Sequence, residues 1–387
     1  MIDASIRRPR TRHDVATALA LGVTAAGVVR GGGFFTPDLV AVPFVLAAAA
    51  IVDGTRITRR DLRVVAALAA FAIVWLLRGD AAGTVARSAS LAAAAIAFAG
   101  SYVTARRCRS ARDRLLVIRA LLIISSLVAV VSLLRWAGNE PPWGLPFDGV
   151  WRLSGPFAYP NAAGLFFALA FLANVAVDER DWIERTLCGV ALIAALVATA
   201  SRGSFVALGL GLIVLRKDLF TATTRAARIF GVGAVTAAAG AALYVSLLTF
   251  GFIGNAGAHS ATASMDDRVA EWSAAARQGG AHPVAGSGPE RDLYIHNFRG
   301  DAIARYAHDE PLQVFAGAGL IGLASLALVV VAMAGALRDE DGPRGRLPKA
   351  ALAVLIVGGL LDFNWHFVGL VAFAGWLVGL DDPVSTE

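Results

Sequence analysis

What most constrains this chain is a succession of apolar runs, most of them close to the length a helix needs to cross a membrane. Twelve can be read along the 387 residues, at roughly 14–30, 38–53, 62–78, 83–105, 115–137, 161–177, 182–200, 203–216, 228–253, 311–337, 348–362 and 365–380. Crossing about 30 Å of hydrocarbon takes roughly 20 helical residues at 1.5 Å each. The runs lack the strict alternation and regular turns of a transmembrane β-barrel. Hydrophobic residues make up 57% of the chain and charged residues 17%, with a mean hydropathy of +0.64, which is outside the range of an ordinary soluble domain. The expected fold class is all-α, a single polytopic membrane domain over 1–387 with about twelve transmembrane helices.

Orientation follows from arginine. Only Lys217 and Lys349 are lysine, so the net charge of +6 is arginine charge. It gathers in the N-terminal arm and in 54–63, 105–114, 216–228 and 338–349, which alternate with poorer loops. Basic loops stay on the cytoplasmic side, so the protein is expected in the cytoplasmic (inner) membrane with both termini cytoplasmic. A basic charge spread over short loops gives no reason to expect nucleic acid. The apolar run after "RRPRTRHD" has no small-residue cleavage site, and it is read as an uncleaved first span. Cys108 and Cys188 fall too far apart in this topology for a disulfide.

Two outward loops are longer than a connection needs, 138–160 and 254–310. The second is long enough to hold helices. Within it, "SMDDRVAEWSAAARQGG" reads as a short amphipathic helix on the outer surface. Ser264 would be its N-cap, and Val269, Trp272 and Ala276 its apolar face.

Candidate chemistry gathers at the same outer edge: Arg152 in the first long loop, Arg202 in "TASRGSF", Arg268 in the loop helix, and His308, Asp309 and Glu310 before the tenth span. Asp362, Asn364 and His366 occupy the turn between the last two spans. Guanidinium groups above a hydrocarbon core suit a lipid with a phosphate or diphosphate head, because arginine is always charged and donates in a fork. In glycosyl transfer from such a donor, fixed positive charge stabilises the departing diphosphate, and a histidine or carboxylate takes the acceptor proton. Each residue also has a plainer reading. Arg202 can snorkel, as can Arg87, Arg119 and Arg135, and Arg268 can pair with Glu271 three residues on. Asp309 and Glu310 can complement the dipole of a helix started by Pro311. His259, His282 and His296 are too far apart for a compact metal motif, and the "DED" at 339–341 reads as solvated cytoplasmic charge.

Four blocks, "RLSGPFAYPNAAGLFFAL" (152–169), "TASRGSFVALGLGL" (199–212), "DRVAEWSAAARQGGAHPVAGSGPE" (267–290) and "AHDEPLQVFAGAGLIGL" (307–323), resemble in this order those of the O-antigen ligase and polymerase superfamily. The resemblance covers roughly 150–335. It implies a GT-C-type membrane glycosyltransferase, metal-independent and inverting, with no cofactor. Its donor would be a glycan on undecaprenyl diphosphate, and its acceptor a glycan, lipid or protein outside the cytoplasmic membrane. Matched motif by motif, Arg202 and Arg268 would bind diphosphate, and His308 would activate or orient the acceptor. Arg152 and Asn161 match the first block, as substrate-binding candidates. The chain has "HDEP" where the family usually has "HN", which leaves Asp309 open as a partner of His308. A polysaccharide transporter or lipid-linked glycan flippase is the alternative. It would show two similar six-span halves joined by a long inner loop and charge near the midplane, whereas here the large loop is late and external.

Overall fold

The computed structural model describes residues 12–33, 36–53, 57–108, 110–147, 150–177, 182–221, 257–297, 300–338 and 346–380. The helices are α1 (Arg12–Val29), α2 (Thr36–Asp53), α3 (Arg59–Ala81), α4 (Val85–Arg106), α5 (Ala111–Ala137), α6 (Pro160–Ala176), α7 (Trp182–Ala198), α8 (Arg202–Thr221), α9 (Gly257–Ala281), α10 (Glu310–Leu337), α11 (Arg346–Leu361) and α12 (Val368–Gly379). Two antiparallel hairpins, β1 (Gly144–Phe147) with β2 (Val150–Leu153) and β3 (Leu293–Asn297) with β4 (Gly300–Ala304), occupy the two long loops. Every expected apolar segment is a helix except the ninth, 228–253, which lies outside the described residues, as does 339–341. Among the described residues, α3, α4, α5 and α10 are long and apolar enough to cross a membrane. The chain is thus an all-α protein with membrane-spanning helices.

Helix starts follow local chemistry. Thr58 and Asp61 close a capping box on α3, and Ser110 caps α5 through the Asp113 N–H. The centre of the bundle is α4, packed by α2, α3 and α12. On α12, a Cβ at Gly375 would lie 2.8 Å from the Phe98 carbonyl and one at Gly379 2.5 Å from that of Tyr102. Only glycine permits this approach of α12 to α4. Nearly every residue of α6 and all of α12 are buried, as befits helices that are apolar all round.

Connections meet in turn at the two ends. At one, Gly32 lies against Phe157 and Phe367, Arg78 donates to the Ala285 and Gly286 carbonyls, Arg152 to Thr199 and Arg268 to Leu361. The described parts of two arginine-rich stretches, 57–63 and 105–108, belong to the opposite end, where Asp61 accepts from Tyr102 and Arg106. With 12 residues, α12 rises only about 18 Å. Its leading turn, 362–367, is accordingly recessed, with His366 2.8 Å from Ser90 inside the second turn of α4.

Helix α10 is not one straight span. Gly319 has φ 62° and ψ −151°, a region essentially closed to other residues. The chain at 283–288 fills the break: Ser287 N–H donates to Ala316 O (2.9 Å), Gly288 N–H to Gly317 O (3.0 Å), Leu320 N–H to Pro283 O (2.8 Å) and Ile321 N–H to Val284 O (3.1 Å). Irregular backbone at membrane depth survives when protein satisfies it in this way.

The loop helix departs from expectation in two respects. It begins at Gly257, so Ser264 lies inside it and is not its cap. Its inward side carries Arg268, Glu271, Ala275 and Gly279, while Val269 is 49% exposed and Ala276 is exposed. At its middle, polar contacts of Arg268 and Glu271 are joined by apolar packing of Ala270, Ala274 and Ala275.

Candidate functional site

Asp362, in the recessed turn after α11, is the hub of a polar cluster at this end of the bundle. Its carboxylate, 3% exposed, accepts from the Tyr159 hydroxyl at 2.9 Å to each oxygen, from the Asn161 amide, from the Arg268 guanidinium at 3.2 Å and from the Phe363 N–H at 2.8 Å. His308 Nε2 stands 3.9 Å away. Four separate elements thus converge on one carboxylate: the start of α6, the loop helix α9, the segment before α10, and the α11–α12 turn.

His308 is held from its other side. Its Nδ1 is 2.7 Å from Glu271 Oε2, and its ring meets Phe363 edge to face at 5.0 Å between centroids. When Nδ1 carries the proton for Glu271, Nε2 presents its lone pair toward the gap before Asp362. Burial by itself would lower the histidine pKa. The Glu271 hydrogen bond and the charges of Asp362 and Glu271 outweigh it and hold the pKa above the ordinary value. Arg268 behaves similarly: burial disfavours its charge, but Asp362 more than restores it. For Tyr159, burial and then the Asp362 charge push the phenol well above its usual range, so it remains a donor.

Of the residues expected from sequence, Arg268, His308 and Asn161 are brought together around Asp362. Arg268 also donates to Leu361 O at 2.7 Å, and its neighbour Glu271 serves His308 instead of pairing with it. Arg152 sits one step back, with Nε 2.8 Å from Thr199 O and Nη2 2.8 Å from Asn161 Oδ1 and 3.4 Å from Ala200 O. It braces the turn from which Arg202 starts α8. Arg202 itself is half-buried; Ser204 beside it donates to Asn161 O, and Gly203 packs on Leu361. Asp309 is the N-cap of α10, accepting from Leu312 N–H at 2.8 Å. Glu310 is the acid of the first turn, as expected. It is also fully buried, accepting from Trp365 N–H at 2.8 Å.

Backbone strain marks the same place. Among the described residues, the non-glycine positions with positive φ are Asn139, Ala158, Ala200, Glu290 and His308. All but Asn139 flank the cluster, each of them costing of order 1 kcal/mol. From the sequence, Asp362 is only one polar residue of a turn, and Glu271 is a partner for Arg268 three residues away. A carboxylate between two apolar spans was the available signal for Asp362, since a charge there must be paired.

Residues 187–327 match the family model described as O-antigen ligase. The match includes Arg202, Arg268, Glu271 and His308, and it supports the O-antigen ligase and polymerase family for a chain that already shows membrane-spanning helices. No curated protein matches the chain significantly.

Proposed function

We propose that the chain is an O-antigen ligase- or polymerase-like glycosyltransferase of GT-C type with about twelve spans. It would take a glycan from undecaprenyl diphosphate and join it to an acceptor hydroxyl on the outer side of the cytoplasmic membrane. The observation that carries this reading is the assembly of Arg268, His308 and Asp362 in a recess at the end of the bundle, opposite its arginine-rich stretches. Arg268 and Arg202 receive the diphosphate. His308 Nε2 takes the proton from the acceptor hydroxyl as that oxygen bonds to C1 of the donor sugar. The C1–O bond to phosphate breaks, and the electron pair leaves with the diphosphate, whose charge the arginines stabilise. A single displacement of this kind inverts the anomeric centre and asks for no metal or cofactor. Asp362 and Glu271 keep Arg268 charged and His308 oriented. Arg152 and Asn161 hold the surrounding turns while bordering the substrate.

An apolar cavity of about 90 Å³ supports the lipid-linked donor. Leu68, Phe71, Leu91, Phe98 and Met333 line it, and Trp365 from the recessed turn borders it. It suits a stretch of the isoprenoid tail beneath a head group held by the arginines.

The test is transfer by purified protein from an undecaprenyl-diphosphate glycan to candidate acceptors. His308→Ala, Arg202→Ala and Arg268→Ala should each lose about 100-fold or more of kcat/KM, and chelating agents should leave the parent rate unchanged. Parent activity in all three variants would remove the site assignment. Donor translocation without bond formation would instead support a flippase.

A further inference from the structure

Beneath Asp362 lies a second polar cluster that the transfer chemistry does not use. Glu290, Glu310 and His366 are each 0% exposed. Ser90 of α4 donates to Glu290 Oε1 at 2.7 Å, so its oxygen is free to accept from His366 Nδ1 at 2.8 Å. Arg305 grips Glu290 Oε2 through Nε (3.1 Å) and Nη2 (2.6 Å), and the Tyr306 hydroxyl reaches the same oxygen at 3.4 Å. His366 Nε2 and Glu310 Oε2 face each other at 3.4 Å, and neither has a hydrogen-bond partner among the described residues.

Serine, histidine and glutamate in this order have the members of a nucleophilic triad. Burial argues against that role, because no substrate reaches Ser90 and its proton is committed to Glu290. What the cluster does join is four chain segments: α4 through Ser90, the outer loop through Glu290, the start of α10 through Glu310, and the α11–α12 turn through His366. Glu310 also holds the Trp365 N–H of that turn. Phe363, next to Asp362, is stacked on Tyr306 at 4.3 Å and on Tyr159 at 4.8 Å between centroids. The turn is therefore clamped by charge on one side and by rings on the other, with Asp362 at its outer edge.

We propose that Glu290, Glu310 and His366 are positioning residues, a buried ionic pin that fixes the α11–α12 turn so that Asp362 meets both Arg268 and His308. This rests on the glycosyltransferase reading for its kinetic consequence but not for its geometry. Three buried ionisable groups are poor stabilisers compared with an apolar core of the same shape, and their best-attested use is to specify one arrangement. An ångström of misplacement in a reaction site costs roughly 100-fold in rate.

The experiment combines two readouts on the full chain in detergent, for Ser90→Ala and for the double variant Glu310→Gln with His366→Gln. The double variant removes both charges together, so no lone buried charge is left to unfold the protein. The first readout needs no substrate: the titration midpoint of His308, followed by NMR of ring-labelled histidine. Moving Asp362 away removes a charge that supports the imidazolium, so the midpoint should fall in the double variant. The second is transfer kinetics, in which kcat should drop about 10- to 100-fold with the donor KM within about twofold, and a few-fold in Ser90→Ala. An unchanged His308 midpoint overturns the positioning role whatever the activity. Parent kcat in both variants overturns its catalytic consequence. A parent protein that transfers nothing, with the midpoint still displaced, overturns the glycosyltransferase reading and leaves the pin standing.

Discussion

His308 adopts a left-handed backbone with φ 50°, an expensive conformation for a residue with a side chain. The fold gives it Glu271 behind and Asp362 in front. His308 and Arg268 were legible in the sequence through their motifs. The Glu271 contact was not legible, because residues 37 positions apart in sequence carry no local sign of touching. With Glu271 raising the His308 pKa, the imidazole stays protonated to higher pH, and a base mechanism is switched off below that point. Glu271→Gln should shift the acidic limb of the pH–rate profile to lower pH and reduce the plateau about tenfold or more through lost orientation. A limb that stays in place would assign proton transfer to another group.

At the scale of elements, helix periods were legible and their interruptions were not. The run 311–337 is longer than the roughly 20 residues a span requires, and the break at Gly319 is where the surplus goes. Its cause is tertiary: the segment 283–288 supplies hydrogen bonds that the helix gives up, and Arg78 holds that segment at Ala285 (2.6 Å) and Gly286 (3.2 Å). A Cβ at Gly319 would stand 2.6 Å from Gly286 N and from Val284 C and O. Gly319→Ala should destabilise the protein by about 3 kcal/mol or more, read as a lower melting temperature. Gly335→Ala, where a Cβ meets nothing within 4 Å, should be neutral or stabilise by up to about 1 kcal/mol. The loop helix was legible from its acids and arginines, but its start at Gly257 was not, since "GAHSATAS" has no apolar period to announce a helix.

Across the whole molecule, four elements from distant places in the sequence converge on Asp362, and the buried pin below it ties the loop at Glu290, the start of α10 and the α11–α12 turn to α4. Burial alone would lower the pKa of His366, but the carboxylates of Glu310 and Glu290, 3.4 and 3.3 Å from its ring nitrogens, raise it to about 9. Raised above its unfolded value, this group contributes stability in full below about pH 6.5 and loses it as pH rises through about 9. The melting temperature should fall by several degrees across that interval, and the fall should flatten in His366→Gln; an equal slope in both proteins would place the titrating group elsewhere. By itself the sequence determined that the chain is a helical membrane protein, that arginine divides its loops in two, and that its reactive residue types fall at helix ends, because hydropathy, propensity and charge act along the chain. Only the tertiary structure decided that Asp362 is the meeting point, that Glu271 serves His308, and that Glu310 faces His366 in the interior. Those are pairings between distant residues, set by which helix ends the bundle brings to the same depth.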